Sequence, residues 1–206
     1  KITTKLSLQD IRVWGDEKIN TDIAGTALYE AWAELPICNK LFIKLGKQEL
    51  AYDNERFLSA GSWPQVGLTH NAVVFKYKSR EVAAHLGGGF NQTSENILGT
   101  DYSLYPGNYK SLTYLWLSDK LSDKFNISAL AIADGFQKAE TTNTIYLRGT
   151  YGFNAEYAID NEYGIALRCF YQSGKLATGQ EVSAYYGKAD VNYFATPDLN
   201  LIVGIE

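Results

Sequence analysis

Seven charged residues have the type and placement to act on a charged or hydroxylated solute: Glu30, Glu34, Lys44, Lys47, Arg56, Arg148 and Arg168. Lys44 lies between Ile43 and Leu45, Arg148 between Leu147 and Gly149, and Arg168 between Leu167 and Cys169. Successive side chains on a strand point to opposite faces, so these three cations fall on the more polar face of an apolar-alternating segment. Glu30 and Glu34 share a face with Trp32 over 26–34. If that face lines a pore, Arg and Lys favour anions, and Asp and Glu favour cations. The planar fork of Arg suits carboxylates best. Each cation has an equally good structural use as half of an ion pair between strands. Lys47 is out of phase with Lys44, so either the strand has left the membrane band there or Gly46 marks a bulge that re-aims it. Arg56 follows Asp53 and Glu55 in a long loop, where it either narrows a passage or pairs locally and folds the loop.

Other chemistries find little support. His70 is near Ser59 and Ser62 in sequence, but no spacing matches a nucleophile with its base. Gly87-Gly88-Gly89 is followed by no Lys-Ser/Thr pair and no helix start, which dismisses a phosphate loop. His70 and His85 have no ligand-spaced partners, so no metal or other cofactor is expected. Cys38 and Cys169 are far apart in sequence, which gives no ground for a disulfide. A net charge of −4 provides no basic footprint for nucleic acid.

The elements that must position these residues are strands. The chain of 206 residues holds 15 Tyr, 9 Phe, 4 Trp and 18 Gly against only 4 Pro, a balance favouring strands and turns. Period-2 alternation is cleanest in 40–46, 144–153, 162–171 and 198–205. It is weaker in 67–77, where Val73, Phe75 and Tyr77 share a face with Asn71, and in 107–118 and 124–136, where apolar groups fall on both faces. About eleven strands follow, each near the length that crosses a bilayer at a tilt. Long links (15–24, 53–66, 91–107) alternate with tight ones (36–39, 78–80, 119–123, 196–198); 137–142 is a medium loop, 174–178 a loop, and the medium turn 154–160 weakens the pattern. Such alternation places all long loops at one end, as in outer-membrane barrels. No apolar run is long enough for a membrane helix. The fold expected is all-β: an antiparallel up-and-down transmembrane β-barrel in one domain over 1–206. An odd strand count, and an end in mid-pattern at Leu201-Ile202-Val203-Gly204-Ile205-Glu206, mark it as an incomplete portion of a larger barrel, because open edges are too costly in lipid.

Residues 27–77 carry a family resemblance. Glu30-Ala31-Trp32-Ala33-Glu34-Leu35, a tight turn and Leu41-Phe42-Ile43-Lys44-Leu45-Gly46-Lys47-Gln48-Glu49-Leu50 resemble the alginate-export family of outer-membrane porins. The similarity continues through Tyr52-Asp53-Asn54-Glu55-Arg56-Phe57, Trp63 and Asn71-Ala72-Val73-Val74. The resemblance implies a monomeric barrel whose lumen carries many Arg and Lys side chains and passes an anionic polysaccharide or small anions passively. It also singles out Arg56.

The function expected is a porin-like channel of the bacterial outer membrane, not an enzyme, passing anionic solutes or saccharides by diffusion. Its partners are membrane lipid, the solute and a possible protein neighbour in the outer membrane. Two alternatives stand beside it: a soluble carbohydrate-binding or carbohydrate-cleaving β-sandwich, and a structural barrel subunit of an envelope assembly. The barrel requires outward residues such as Leu147, Ile165 and Leu201 to form a continuous apolar belt about 25 Å tall. Trp14, Trp32, Trp63 and Trp116, with tyrosines near strand ends, are candidates for interfacial girdles, although Trp32 shares its face with Glu30 and Glu34.

Overall fold

The computed structural model describes residues 1–10, 26–61, 67–91, 108–138, 144–160, 162–196 and 199–205. The expectations for loop 15–24, Trp14, Trp63 and most of loop 87–108 lie outside the described residues, as does the facing of the Leu201 side chain. All regular elements among the described residues are strands: β1 (Thr3–Asp10), β2 (Thr26–Cys38), β3 (Leu41–Gln48), β4 (His70–Lys78), β5 (Val82–Phe90), β6 (Ser111–Lys120), β7 (Phe125–Gln137), β8 (Ile145–Ala158), β9 (Tyr163–Lys175), β10 (Glu181–Thr196) and β11 (Leu199–Ile205). They form one antiparallel sheet in sequence order, with β1 and β11 at the ends of the order. Hairpin connection throughout requires no crossover, the simplest solution for a chain of consecutive amphipathic strands. The chain divides into two compact units, Lys1–Phe75 and Lys76–Glu206.

The alternation of link lengths is sharper than the sequence pattern. β8 runs on to Ala158, which reduces the supposed medium turn at 154–160 to a short link, 159–162. Asp160 closes this link by accepting from the backbone N–H groups of Glu162 (2.8 Å) and Tyr163 (2.7 Å). Within the second unit, links 79–81, 121–124, 159–162 and 197–198 are short, and links 91–110, 138–144 and 176–180 are longer. β2 also extends past its expected end, through Pro36 to Cys38. Pro cannot donate to the ladder, and the register shifts between Pro36 and Cys38, a bulge that accommodates it.

The first unit pairs β1, β2 and β3. One face carries Lys5, Glu30, Trp32, Glu34 and Lys44; the other carries Leu6, Ala31, Ala33 and Leu45. Beyond β3, residues 51–61 form a compact loop under which Leu50 and Leu58 are buried. Asp53 and Glu55 adopt left-handed conformations, φ 53° and 57°, unusual for residues with a Cβ. Glu55 offsets that cost through its carboxylate, where Oε2 accepts from Ser59 Oγ (2.9 Å) and Ala60 N (3.0 Å). Glu55→Ala is therefore expected to loosen this loop while leaving the sheet intact, a local loss of about 1–2 kcal/mol. Trypsin cleavage after the exposed Arg56 should accelerate several-fold; an unchanged cleavage rate would show that the carboxylate does not hold the loop.

In the second unit one face of the sheet is apolar and exposed, and the other mixes charges with buried apolar side chains. Paired positions Leu86–Leu115–Ala131–Tyr151–Tyr171–Tyr185 and Ile127–Ala155–Leu167–Ala189–Ile205 share one face. On this apolar face Leu147 is 63% exposed, Ile165 43% and Tyr185 83%. The opposite, charged face carries His85, Asp134, Arg148, Asn154, Arg168 and Asp190, with Tyr114, Leu130, Thr150, Asn154 and Phe170 buried. A water-soluble sheet does the reverse, covering its apolar face and exposing its charges.

Candidate functional site: the charged face of the sheet

The charged face is built by register. Antiparallel pairing sets Asp134 opposite Arg148, and Ala166 of β9 opposite Asp190 of β10. Arg148 Nε donates to Asp134 Oδ1 at 3.2 Å while Nη2 bonds Oδ2, a fork-to-carboxylate pair. The same guanidinium lies 4.9 Å from the Phe136 ring centroid. Arg168 is the hub of a larger cluster. Its Nη1 pairs with Asp190 Oδ2, and its Nη2 approaches Glu156 Oε1 at 3.6 Å. Lys188 Nζ comes within 3.3 Å of Asp190 Oδ1. Arg168 and Asp190 are deeply buried, with side chains 11% and 5% exposed. Neutral bonds continue the lattice: Gln172 Nε2 donates to Thr150 Oγ1 (2.8 Å) and Asn154 Nδ2 to Ser128 Oγ (3.4 Å).

Aromatic rings fill the space between the charged rows, and glycines make room for them. Tyr114 of β6 lies over Gly87 of β5, its cross-strand partner, and Phe170 of β9 lies over Gly152 of β8. A Cβ at Gly87 would stand 2.3 Å from the Tyr114 ring, and one at Gly152 would stand 2.6 Å from the Phe170 ring. Ring over glycine is a recurrent way of covering backbone that lacks a side chain.

In the first unit Lys5 pairs with Glu30, whose Oε1 also accepts from Trp32 Nε1 at 3.0 Å. Lys44 faces Glu34 in register and sets its Nζ 4.0 Å from the Trp32 ring centroid, a cation–π contact. Trp32 thus turns to the charged face with Glu30 and Glu34. Lys47 is on the opposite face, in register with Ala31, and its Nζ donates to the Leu28 carbonyl at 2.7 Å. The register runs through Gly46 without a shift. Gly46 instead takes φ +123°, where a Cβ would stand 2.2 Å from the Ala31 carbonyl oxygen. Arg56 is exposed in the loop, with Glu55 engaged by Ser59 and Ala60.

The structure therefore places Glu30, Glu34 and Lys44 on one charged face and Arg148 and Arg168 on another, each within its own unit. Lys47 and Arg56 belong to neither. Asp134, Glu156, Lys188 and Asp190 did not emerge from the sequence, although they complete the lattice. Asp134 is in a segment with apolar residues on both faces, which hides its phase. Lys188 and Asp190 are two apart and so share a face, a signal open to inspection, but their meeting with Arg168 depends on register. Among the described residues no cluster of His, Cys, Asp and Glu could hold a metal ion. Cys38 and Cys169 are both free thiols. Outside the strands, the link after β6 sets Lys120 Nζ 2.8 Å from Asp123, which holds that carboxyl below its ordinary range.

No protein-family model matches the chain, and no curated protein matches it.

Proposed function

We propose that the chain is the wall of a membrane-spanning β-barrel of the bacterial outer membrane. In this reading it is a porin-like channel that passes anionic solutes or saccharides passively. One observation carries it: one face of the sheet is apolar and exposed, while Asp134 and Asp190 are buried on the other face among Leu112, Tyr114, Leu130, Phe136 and Phe170. Contiguous exposed apolar surface on this scale is a contact surface, and a face free of charge between the strand ends matches acyl chains. Among the described residues no helix is long and apolar enough to cross a membrane, which says nothing of a barrel, since barrels cross with strands. Membership of the alginate-export family, suggested by residues 27–77, belongs to the same proposal.

The lattice refines the choice of solute. Asp134, Glu156 and Asp190 stand against Arg148, Arg168 and Lys188, so the cations of this face are compensated within the wall. Such a lining discriminates weakly between anions and cations, which favours saccharides over simple anions. The same pairing, with Tyr114, Leu130 and Phe170 fully covered, favours a second reading in which the barrel is structural and does not conduct.

Reconstitution separates them. The first reading expects heat-modifiable migration in detergent and steady conductance in planar bilayers with little charge preference. Insertion without conductance would leave the structural barrel. A monodisperse, detergent-free soluble protein would defeat both and favour a soluble β-protein.

A further inference from the structure

A recess opens on the charged face of the second unit, at the end where the short links 121–124 and 159–162 lie. It holds about 620 Å³, within the range of small-molecule sites, about 300–1,000 Å³. Register explains its position. Lys120, Asn126, Glu156, Ala166 and Asp190 form one hydrogen-bonded row, and Ala158, Gly164 and Asn192 form the next. Elsewhere on this face β8 and β9 carry large side chains, such as Arg148, Asn154, Arg168, Phe170 and Gln172. Here the adjoining positions Ala158, Gly164 and Ala166 carry almost none. The wall is therefore hollowed between Glu156 on β8 and Asn192 on β10.

The rim is cross-tied. Lys124 Nζ donates to the Ile159 carbonyl at 2.9 Å, and the Ala158 N–H donates to the Lys124 carbonyl at 2.8 Å, which joins the two short links. Lys120 Nζ donates to Asp123 Oδ1 at 2.8 Å. Rim groups already tied lose less freedom when a solute arrives. Their charges cancel: Lys120 and Lys124 stand with Asp123 and Glu156, and the amides of Asn126 and Asn192 complete the lining. An anion entering the recess meets the carboxylates of Asp123 and Glu156, and a cation meets the two ammonium groups, so an ion of either sign encounters its own charge. A hydroxyl both donates and accepts, and it suits every one of these groups. Each ammonium carries further N–H donors beyond the one that Asp123 or Ile159 engages. Glu156, its side chain 57% exposed, approaches Arg168 through Oε1 at 3.6 Å, which leaves Oε2 as an acceptor for a solute.

We infer that this recess is a binding subsite for an uncharged saccharide, held by Glu156, Asn126 and Asn192 with Lys120 and Lys124 at the rim. It rests on the reading of the charged face as a solute passage. It adds the place where the solute pauses, at the short-link mouth, and the residues that hold it there.

The test uses the full chain refolded in lauryldimethylamine oxide, a detergent without a sugar headgroup. Maltotriose is the probe and trigalacturonate its anionic counterpart. Calorimetric titration should give a millimolar Kd for maltotriose and weaker binding of trigalacturonate. Glu156→Gln keeps the size of the side chain and removes its charge, and should raise the maltotriose Kd about tenfold; Asn192→Ala should raise it about fivefold. Asn192→Ala decides the matter if Glu156→Gln does not refold. In planar bilayers maltotriose should interrupt the current of the parent more than that of either variant. Three results would overturn the subsite: no maltotriose binding, binding that both variants leave unchanged, or tighter binding of trigalacturonate. Conductance by the same preparations would then leave the channel standing. Maltotriose binding that weakens in both variants of a protein that inserts and does not conduct would sustain the subsite and overturn the channel.

Discussion

Gly152→Ala is expected to cost the fold about 3 kcal/mol, at the upper end of overpacking effects. The added methyl would stand 2.1 Å from the Cys169 carbonyl oxygen and 2.6 Å from the Phe170 ring. The oxygen belongs to the ladder between β8 and β9 and cannot withdraw without lengthening it. Phe170 is buried, so its ring can yield only by displacing its neighbours. An ordinary Gly→Ala change in a strand gains about 0.4–1 kcal/mol through the unfolded chain, so the sign reverses here for a steric reason. Gly187→Ala is the control: its Cβ meets nothing within 4 Å, and stability should remain within about 1 kcal/mol of the parent. Urea midpoints of the refolded proteins in detergent decide it. Equal midpoints for the two variants would mean that the Phe170 ring does not rest on the Gly152 backbone.

Asp190→Ala should be nearly as damaging, because it deprives two cations at once. Arg168, 11% exposed, loses its main partner and keeps only Glu156 at 3.6 Å; Lys188 loses its 3.3 Å contact. Removing one half of a buried pair costs about 3–5 kcal/mol, since the other half stays desolvated. Glu156 is a substitute partner, so the lower end of that range is expected. Arg168→Met combined with Asp190→Ala should recover part of the loss, giving a coupling energy above about 1 kcal/mol in the double-mutant cycle. Additive losses would show that Arg168 and Asp190 act independently. The same variant bears on conduction: if the charged face lines a passage, Asp190→Ala moves the reversal potential towards anion preference, whereas a structural barrel has no current to shift.

How much of this was legible in the residues differs between wall and lattice. Alternation around Leu147, Arg148 and Thr150, and around Leu167, Arg168 and Cys169, identifies strands and assigns their faces, because side-chain direction along a strand has a period of two whatever the neighbours. The tight links read at 36–39 and 78–80 announce hairpins for a similarly local reason, and the structure places them at 39–40 and 79–81. Boundaries were less accessible. β8 outruns its expected end because Asn154, Ala155, Glu156 and Tyr157 keep pairing with β7 and β9, and pairing is a property of three strands together.

By itself, then, the sequence determined an all-β chain of about eleven strands, their hairpin order, and the faces of Lys44, Arg148 and Arg168. The tertiary structure alone decided which charges meet. A strand carries its own period but not its register, and a slip of two residues would keep every face while separating Asp134 from Arg148 and Arg168 from Asp190. Register also decided that Phe170 covers Gly152 and Tyr114 covers Gly87.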